Sequence, residues 1–191
     1  SEVPDMAVHL FLPAGQHRVL TIAPSHFDQG LLGSDFGYSD LRMRLAKRGY
    51  HYRIVGEAVL LDHLTWVVEV EPSTPTTRLN TSWVRAHLYI VQEFPFLLGA
   101  DYYGKPVDKG DVNKPFKRMR VESLKQINGV WTATQMVMEA SDGRSSVITL
   151  KEAHFSVADF EKNLFSSQSL PTLADRLREV LKPNRSKESQ P

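Results

Sequence analysis

Apolar and polar positions alternate with a period of two along most of this chain, the pattern of half-buried strands. Val8, Leu10 and Leu12 alternate with His9 and Phe11, Pro13-Ala14-Gly15 reads as a turn, and His17 to Ile22 continues as a hairpin partner. Tyr50, Tyr52 and Ile54 alternate with His51, Arg53 and Val55. Leu64, Trp66, Val68 and Val70 alternate with Thr65, Glu69 and Glu71, after a turn around Leu61-Asp62-His63. Pro72 to Pro75 ends that strand. Ser82 to Gln92 puts Val84, Ala86, Leu88 and Ile90 on one face and Trp83, Arg85, His87 and Tyr89 on the other. Phe94-Pro95-Phe96-Leu97-Leu98 is the most hydrophobic short run, with Pro95 marking an edge or a bend. Phe116 to Ile127, Trp131 to Glu139 and Arg144 to Lys151 then close a meander through the hairpin turns Asn128-Gly129 and Asp142-Gly143. Strands joined by tight turns pair antiparallel.

Helical spacing occurs at two places. Ser39 to Arg48 predicts a short helix ended by Gly49. Thr172 to Lys182 predicts another, with Leu173, Leu177, Val180 and Leu181 on one face, Thr172 as cap and Pro183 as stop. Gly104 to Pro115 reads as a long loop, and Asn184 to Pro191 as a polar, disordered end. The expected organisation is a single β domain over residues 1–182 and a tail over 183–191. Two helices are too few to cover a flat sheet of this size. The sheet is therefore expected to curl on itself: a mainly β fold, a curled antiparallel sheet or open half-barrel with a few short helices.

Between the first hairpin and the meander lies a polar-aromatic knot, Gly33-Ser34-Asp35-Phe36-Gly37-Tyr38-Ser39-Asp40-Leu41. Gly33 and Gly37 free the backbone for positive φ or for close approach. Ser34 and Asp35 can bond neighbouring N–H groups, and Ser39 can cap the helix that follows. The knot resembles the Gly-Ser-Asp-Phe-(small)-Tyr-(acidic or polar)-Asp-Leu signature of the LolA-like outer membrane lipoprotein-sorting family. Leu10-Phe11-Leu12-Pro13-Ala14 with Arg18-Val19-Leu20-Thr21-Ile22 resembles that family's leucine-proline strand and its successor. Tyr52 to Glu57 and Asn128 to Met136 resemble later strands in the same order, so the likeness runs from about Leu10 to Leu170.

The resemblance implies a half-open barrel with helices as a lid, a periplasmic location and lipid-modified clients. Relative to that family, the chain is expected to lack a helix and several strands ahead of the leucine-proline strand. No signal peptide is recognisable in it. One acyl chain of roughly 14 to 16 carbons has a gross burial energy near 12 kcal/mol at about 0.8 kcal/mol per methylene. An apolar groove is then sufficient, without a catalytic group. The residues expected to line it are Leu64, Trp66, Val68, Val84, Leu88, Ile90, Phe96, Met136, Met138, Ile148 and Leu150, all of them also ordinary core residues. The thioethers of Met136 and Met138 suit a surface that accepts variable chains.

Composition narrows the alternatives. The 191 residues are 41% apolar and 24% charged, with a net charge of +1, which gives no electrostatic case for nucleic acid or an anionic membrane. Cysteine is absent, which excludes disulfides and thiolate metal sites. No apolar run is long enough to cross a bilayer as a helix. His9, His17, His26, His51, His63, His87 and His154 have no metal-ligand spacing, and no cofactor or metal is expected. There is no Gly-x-Ser-x-Gly elbow and no phosphate loop. Asp28, Asp35 and Asp40 near the knot leave paired-carboxylate chemistry conceivable, with turn capping as the plainer role. Lys114, Lys117, Arg118 and Arg120 read as a basic patch, either a solvated face or one that meets an acidic partner or a lipid headgroup.

Three functions follow. The first is a non-catalytic carrier of lipid or lipoprotein acyl chains, working with an inner-membrane transporter or an outer-membrane acceptor. The second is an envelope interaction or sensor module in which the sheet edge or the knot contacts a membrane transporter or an envelope sensor. The third is a barrel enzyme with a polar ligand beside Asp35 or His26.

Overall fold

The computed structural model describes residues 8–12, 18–23, 26, 29–38, 40, 49–79, 81–104, 113–153 and 172. The helices expected at 39–48 and 172–182, the centre of the loop at 104–115 and the C-terminal tail lie outside the described residues, apart from single positions. The chain divides into two compact units, Ser1–Ala23 with Glu152–Pro191 and Pro24–Lys151. In the first, β1 (Val8–Leu12) and β2 (Arg18–Ile22) form the expected antiparallel hairpin, with Leu10 opposite Leu20.

The second unit is built on an antiparallel sheet of seven strands in sequence order. These are β3 (Tyr50–Leu60), β4 (His63–Pro72), β5 (Arg85–Val91), β6 (Leu97–Tyr103), β7 (Lys117–Ile127), β8 (Val130–Ala140) and β9 (Ser145–Thr149). β3 and β9 are its edges and do not pair, so the sheet is open, as the mainly β reading requires. The turns are tight for local reasons. Leu61-Asp62 (φ 48° and 62°) and Asn128-Gly129 (φ 49° and 80°) both take the left-handed conformation that matches strand twist. The pairing slips between Ile54 and Gly56, Tyr89 and Ile90, and Val121 and Ser123. Such bulges bend a strand and increase its twist, which is how an open sheet curls.

Register separates the two faces. On one, Ile54, Val68, Leu88, Ala100, Met119 and Met138 stand opposite one another in a single row across the strands. Val70, Ala86, Leu98, Val121 and Phe36 join this face or pack against it to make the core. Burying these side chains is the main stabilising contribution, about 1.5–3 kcal/mol for each large one.

Two local features differ from the expectation. Pro72 to Pro75 was expected only to break a strand, but a short helix, α1 (Pro75–Leu79), follows at once. Thr74 Oγ1 accepts the Thr77 N–H at 3.1 Å and Pro75 takes the first helical position, a standard start signal. The strand expected from Ser82 begins at Arg85. Thr81 Oγ1 donates to the carbonyls of Thr77 (3.0 Å) and Trp83 (3.2 Å), holding a turn there. The alternation is broken ahead of β5: Trp83 stacks on Tyr50 at 5.8 Å against the core, and Val84 is exposed.

Candidate functional site

The knot is a clamp on the core face of the sheet. Gly30 and Gly37 form an isolated antiparallel bridge, and the Leu31 N–H donates to the Phe36 carbonyl at 2.6 Å. Phe36 is thereby directed into the core, where it is 1% exposed. Asp35 reaches the far edge of the sheet. Its N–H donates to Ser146 Oγ (2.9 Å), Ser146 Oγ donates to Asp35 Oδ2 (2.8 Å), and Arg144 pairs with Asp35 Oδ1 (2.9 Å). Asp40 accepts the Gly37 N–H at 2.6 Å and pairs with Lys117 at the start of β7. Both carboxylates are therefore structural, as turn capping requires, and each is occupied by a cation.

The glycine requirement falls partly elsewhere than expected. Positive φ occurs at Leu32 (51°) and Gly33 (81°), and Gly37 serves instead in the bridge. Gly30, which the sequence reading passed over, is held by close approach: a Cβ there would lie 2.2 Å from the Ser34 carbonyl oxygen.

Most of the residues expected to line an acyl groove share the core face. Trp66 pairs with Ile90, Val68 with Leu88, and Met136 with Ile148; Met138 stands in the central row, and Leu64 lies two positions from Trp66. Their exposure differs. Met138 and Leu88 are fully enclosed by the core, whereas Leu64 (45%) and Trp66 (37%) are open at the β3–β4 side. Phe96 packs against the core from the β5–β6 turn, and Leu150, exposed, follows β9. Val84 stands apart, at the other end of the sheet, for the reason given above.

The opposite face is polar. Arg53, Glu69, His87, Asp101, Arg118 and Glu139 stand opposite one another in one row over six strands. Arg53 pairs with Glu69 at 2.6 Å, and Arg120 with Asp101 at 2.6 Å. His87 lies between Glu69 (3.3 Å) and the Tyr103 hydroxyl (3.2 Å). The hydrogen bond from Arg53 holds the Glu69 carboxyl below the usual carboxylate range, against an opposing effect of burial. Burial, reinforced by the hydrogen bond to Asp101 (2.8 Å), pushes the Tyr89 phenol up to about 12. These groups satisfy one another and stiffen the sheet.

The basic patch expected from Lys114, Lys117, Arg118 and Arg120 is not one surface. Strand alternation sends Lys117 to the core face with Asp40, and Arg118 and Arg120 to the polar face beside Asp101. Among the described residues, no cluster of three His, Asp or Glu side chains has the arrangement of a metal site. A cavity of about 740 Å³ does open where β4 ends and β5 begins. Glu71, Arg78, Trp83, Val84, Arg85 and Tyr103 border it, so of the expected groove residues it takes in Val84 alone. Its signal was weak in the sequence, because its wall comes from strand ends and an unexpected helix.

The family model described as "Uncharacterized protein" matches residues 3–172, and the chain belongs to that family. No curated protein matches it. Among solved structures it is similar to an outer membrane lipoprotein-sorting protein domain from Vibrio parahaemolyticus, with a TM-score of 0.71 and 20% identity over 86% of this chain and 66% of that one. It is also similar to a DUF1329 family protein from Desulfovibrio piger, with a TM-score of 0.58 and 21% identity over 80% of this chain and 62% of that one. The chain thus spans just under two thirds of the length of either. At such identities the likeness concerns the fold: this chain has the fold of the lipoprotein-sorting domain, as the knot and the strand order suggested.

Proposed function

We propose that this chain is a non-catalytic periplasmic carrier that takes a lipid or lipoprotein acyl chain on the core face of its sheet, for sorting to the outer membrane. The observation that carries the reading is an open apolar strip along the β3–β4 side. Tyr52, Ile54, Val59, Leu64 and Trp66 lie on the core face there, and all are exposed, Ile54 by 60%. Apolar side chains grouped in this way mark a binding surface more often than a solvated one. The strip is interrupted by one carboxylate, Glu57, which stands opposite Trp66 and accepts from Gln92 at 3.1 Å. Beyond Trp66 the face continues inward through Ile90 and Leu88, so an acyl chain could lie across strands and gain about 0.8 kcal/mol per methylene covered. Leu64, Trp66, Val68 and Ile90 would make first contact, with Met136, Ile148 and Leu150 at the far side of the same face.

A second reading has its own observation. Among the described residues, β3 is an edge strand of 11 residues with β4 as its paired neighbour in the sheet, and an edge strand is a template for strand addition. An inner-membrane transporter or outer-membrane acceptor could dock there by strand addition. Native mass spectrometry of the purified protein tests the carrier reading. A bound species with acyl-lipid mass supports it. A bare protein that also fails to take up added lipid overturns it and leaves the edge-docking reading.

A further inference from the structure

The apolar strip on β3 and β4 has one charged side chain set into it. Glu57 is exposed and stands opposite Trp66, with Ile54 and Val59 on the same face of β3. Its carboxylate is not turned out past the edge of the sheet. The Gln92 side-chain amide donates to Glu57 Oε1 at 3.1 Å, and the Gln92 backbone N–H donates to the Leu64 carbonyl at 3.0 Å. Glu57 lies on β3 and Gln92 just after β5, so their bond spans β4 and draws the carboxylate over the strip between Trp66 and Leu64. Nothing on that face of these strands neutralises it. His51, Arg53, His63, Arg85 and His87 are the basic side chains of β3, β4 and β5, and strand alternation puts all five on the opposite face. The ion pairs of the described residues use Asp35, Asp40, Glu69, Asp101 and Asp142, and not Glu57. A carboxylate in apolar surface, partnered by a neutral amide, attracts an ammonium and repels a second carboxylate.

We propose that Glu57 is a specificity-determining residue that selects, for the apolar strip, an amphiphile with an ammonium head. The tail lies along Leu64, Trp66 and Ile90, and the ammonium rests against the Glu57 carboxylate. The assignment rests on the carrier reading and names the class of lipid that the strip takes. The tail supplies most of the affinity through burial, and the exposed charge pair supplies the selection. A lipid headgroup that ends in an amine and the free amino terminus of an acylated lipoprotein both present this chemistry.

The test is displacement of a fluorescent fatty acid from the full chain, at about pH 7 and low salt, by decylamine, decanoate and decanol. The three share one tail, and decanol reports the tail alone. Decylamine is expected to bind at least about fivefold more tightly than decanoate. The net charge of +1 favours the reverse order, so this preference reports the local carboxylate. Glu57→Gln, at an exposed position, is expected to bring decylamine and decanoate within about twofold of each other and to leave decanol unchanged. Glu57→Lys is expected to reverse the preference. Lysophosphatidylethanolamine and an S-dodecyl cysteinyl peptide with a free amino terminus separate the two sources: the one that loses at least about threefold in Glu57→Gln is the head that Glu57 meets. Equal binding of decylamine and decanoate, or a preference that survives Glu57→Gln, would overturn the assignment and leave the carrier reading standing. Failure of all three to bind would overturn both.

Discussion

Asp35 and Ser146, 111 positions apart, hold each other by two hydrogen bonds: the Asp35 amide donates to the serine hydroxyl, and that hydroxyl donates back to the Asp35 carboxylate. This reciprocal pair ties the knot to β9, at the edge of the sheet opposite β3. Ser146→Ala removes both bonds and leaves a half-buried amide without its acceptor. It is expected to destabilise the fold by about 1–3 kcal/mol in denaturant titration. Arg144→Ala, which removes one exposed cation from Asp35 and from Asp142, is expected to cost less. The reverse order would mean that the ion pair, not the hydroxyl, holds the knot.

Gly30→Ala sets a Cβ 2.2 Å from the Ser34 carbonyl oxygen, a backbone atom that cannot swing away. The expected cost is about 1–3 kcal/mol, as for other overpacked sites. A melting temperature equal to that of the unmodified chain would show that the knot is loosely held.

Leu61 and Asp62 occupy a left-handed turn that suits Asn-Gly far better. The double replacement Leu61→Asn with Asp62→Gly is expected to stabilise the protein by about 1 kcal/mol, since a branched side chain in that conformation costs about as much. Unchanged or lower stability in thermal unfolding would show that this turn is set by packing.

Tyr89 titrates near 12 in the folded chain and from 10.0 when unfolded, so the folded state retains a proton that the unfolded state loses. This contribution is fully present below about pH 10 and is lost as the pH rises towards about 12. The expected result is a late Tyr89 phenolate in an absorbance titration, with Tyr52 and Tyr103 also displaced upward by burial. Stability is expected to fall over that window less steeply in Tyr89→Phe. Ionisation of every tyrosine together near 10 would contradict the burial of this ring.

Strand periodicity was legible in the sequence wherever one face of the sheet is dry. Val70, Ala86 and Leu88 alternate with polar neighbours because the core lies on one side only. The hairpin at Asn128-Gly129 was legible because those residue types favour its backbone. Cross-strand rows were not. Arg53, Glu69, His87, Asp101, Arg118 and Glu139 each read as a solvated position on its own strand, and only the register aligns them. The same holds for Lys117 and Arg118, adjacent in sequence and sent to opposite faces. Helix α1 was missed because five residues carry too little periodicity to register, although Thr74 and Pro75 announced its start. Gly30 was missed because a close approach of two backbones leaves no local pattern.

Binding of a fluorescent fatty acid to the full chain, compared with the same titration of Trp66→Asp, tests the carrier account most directly. Trp66 is partly exposed on the apolar face and outside the buried core, so the variant is expected to keep its fold by circular dichroism. The account predicts saturable binding by the unmodified chain and at least a tenfold loss in the variant. Equal affinity in a folded variant, or no binding by either, would contradict it.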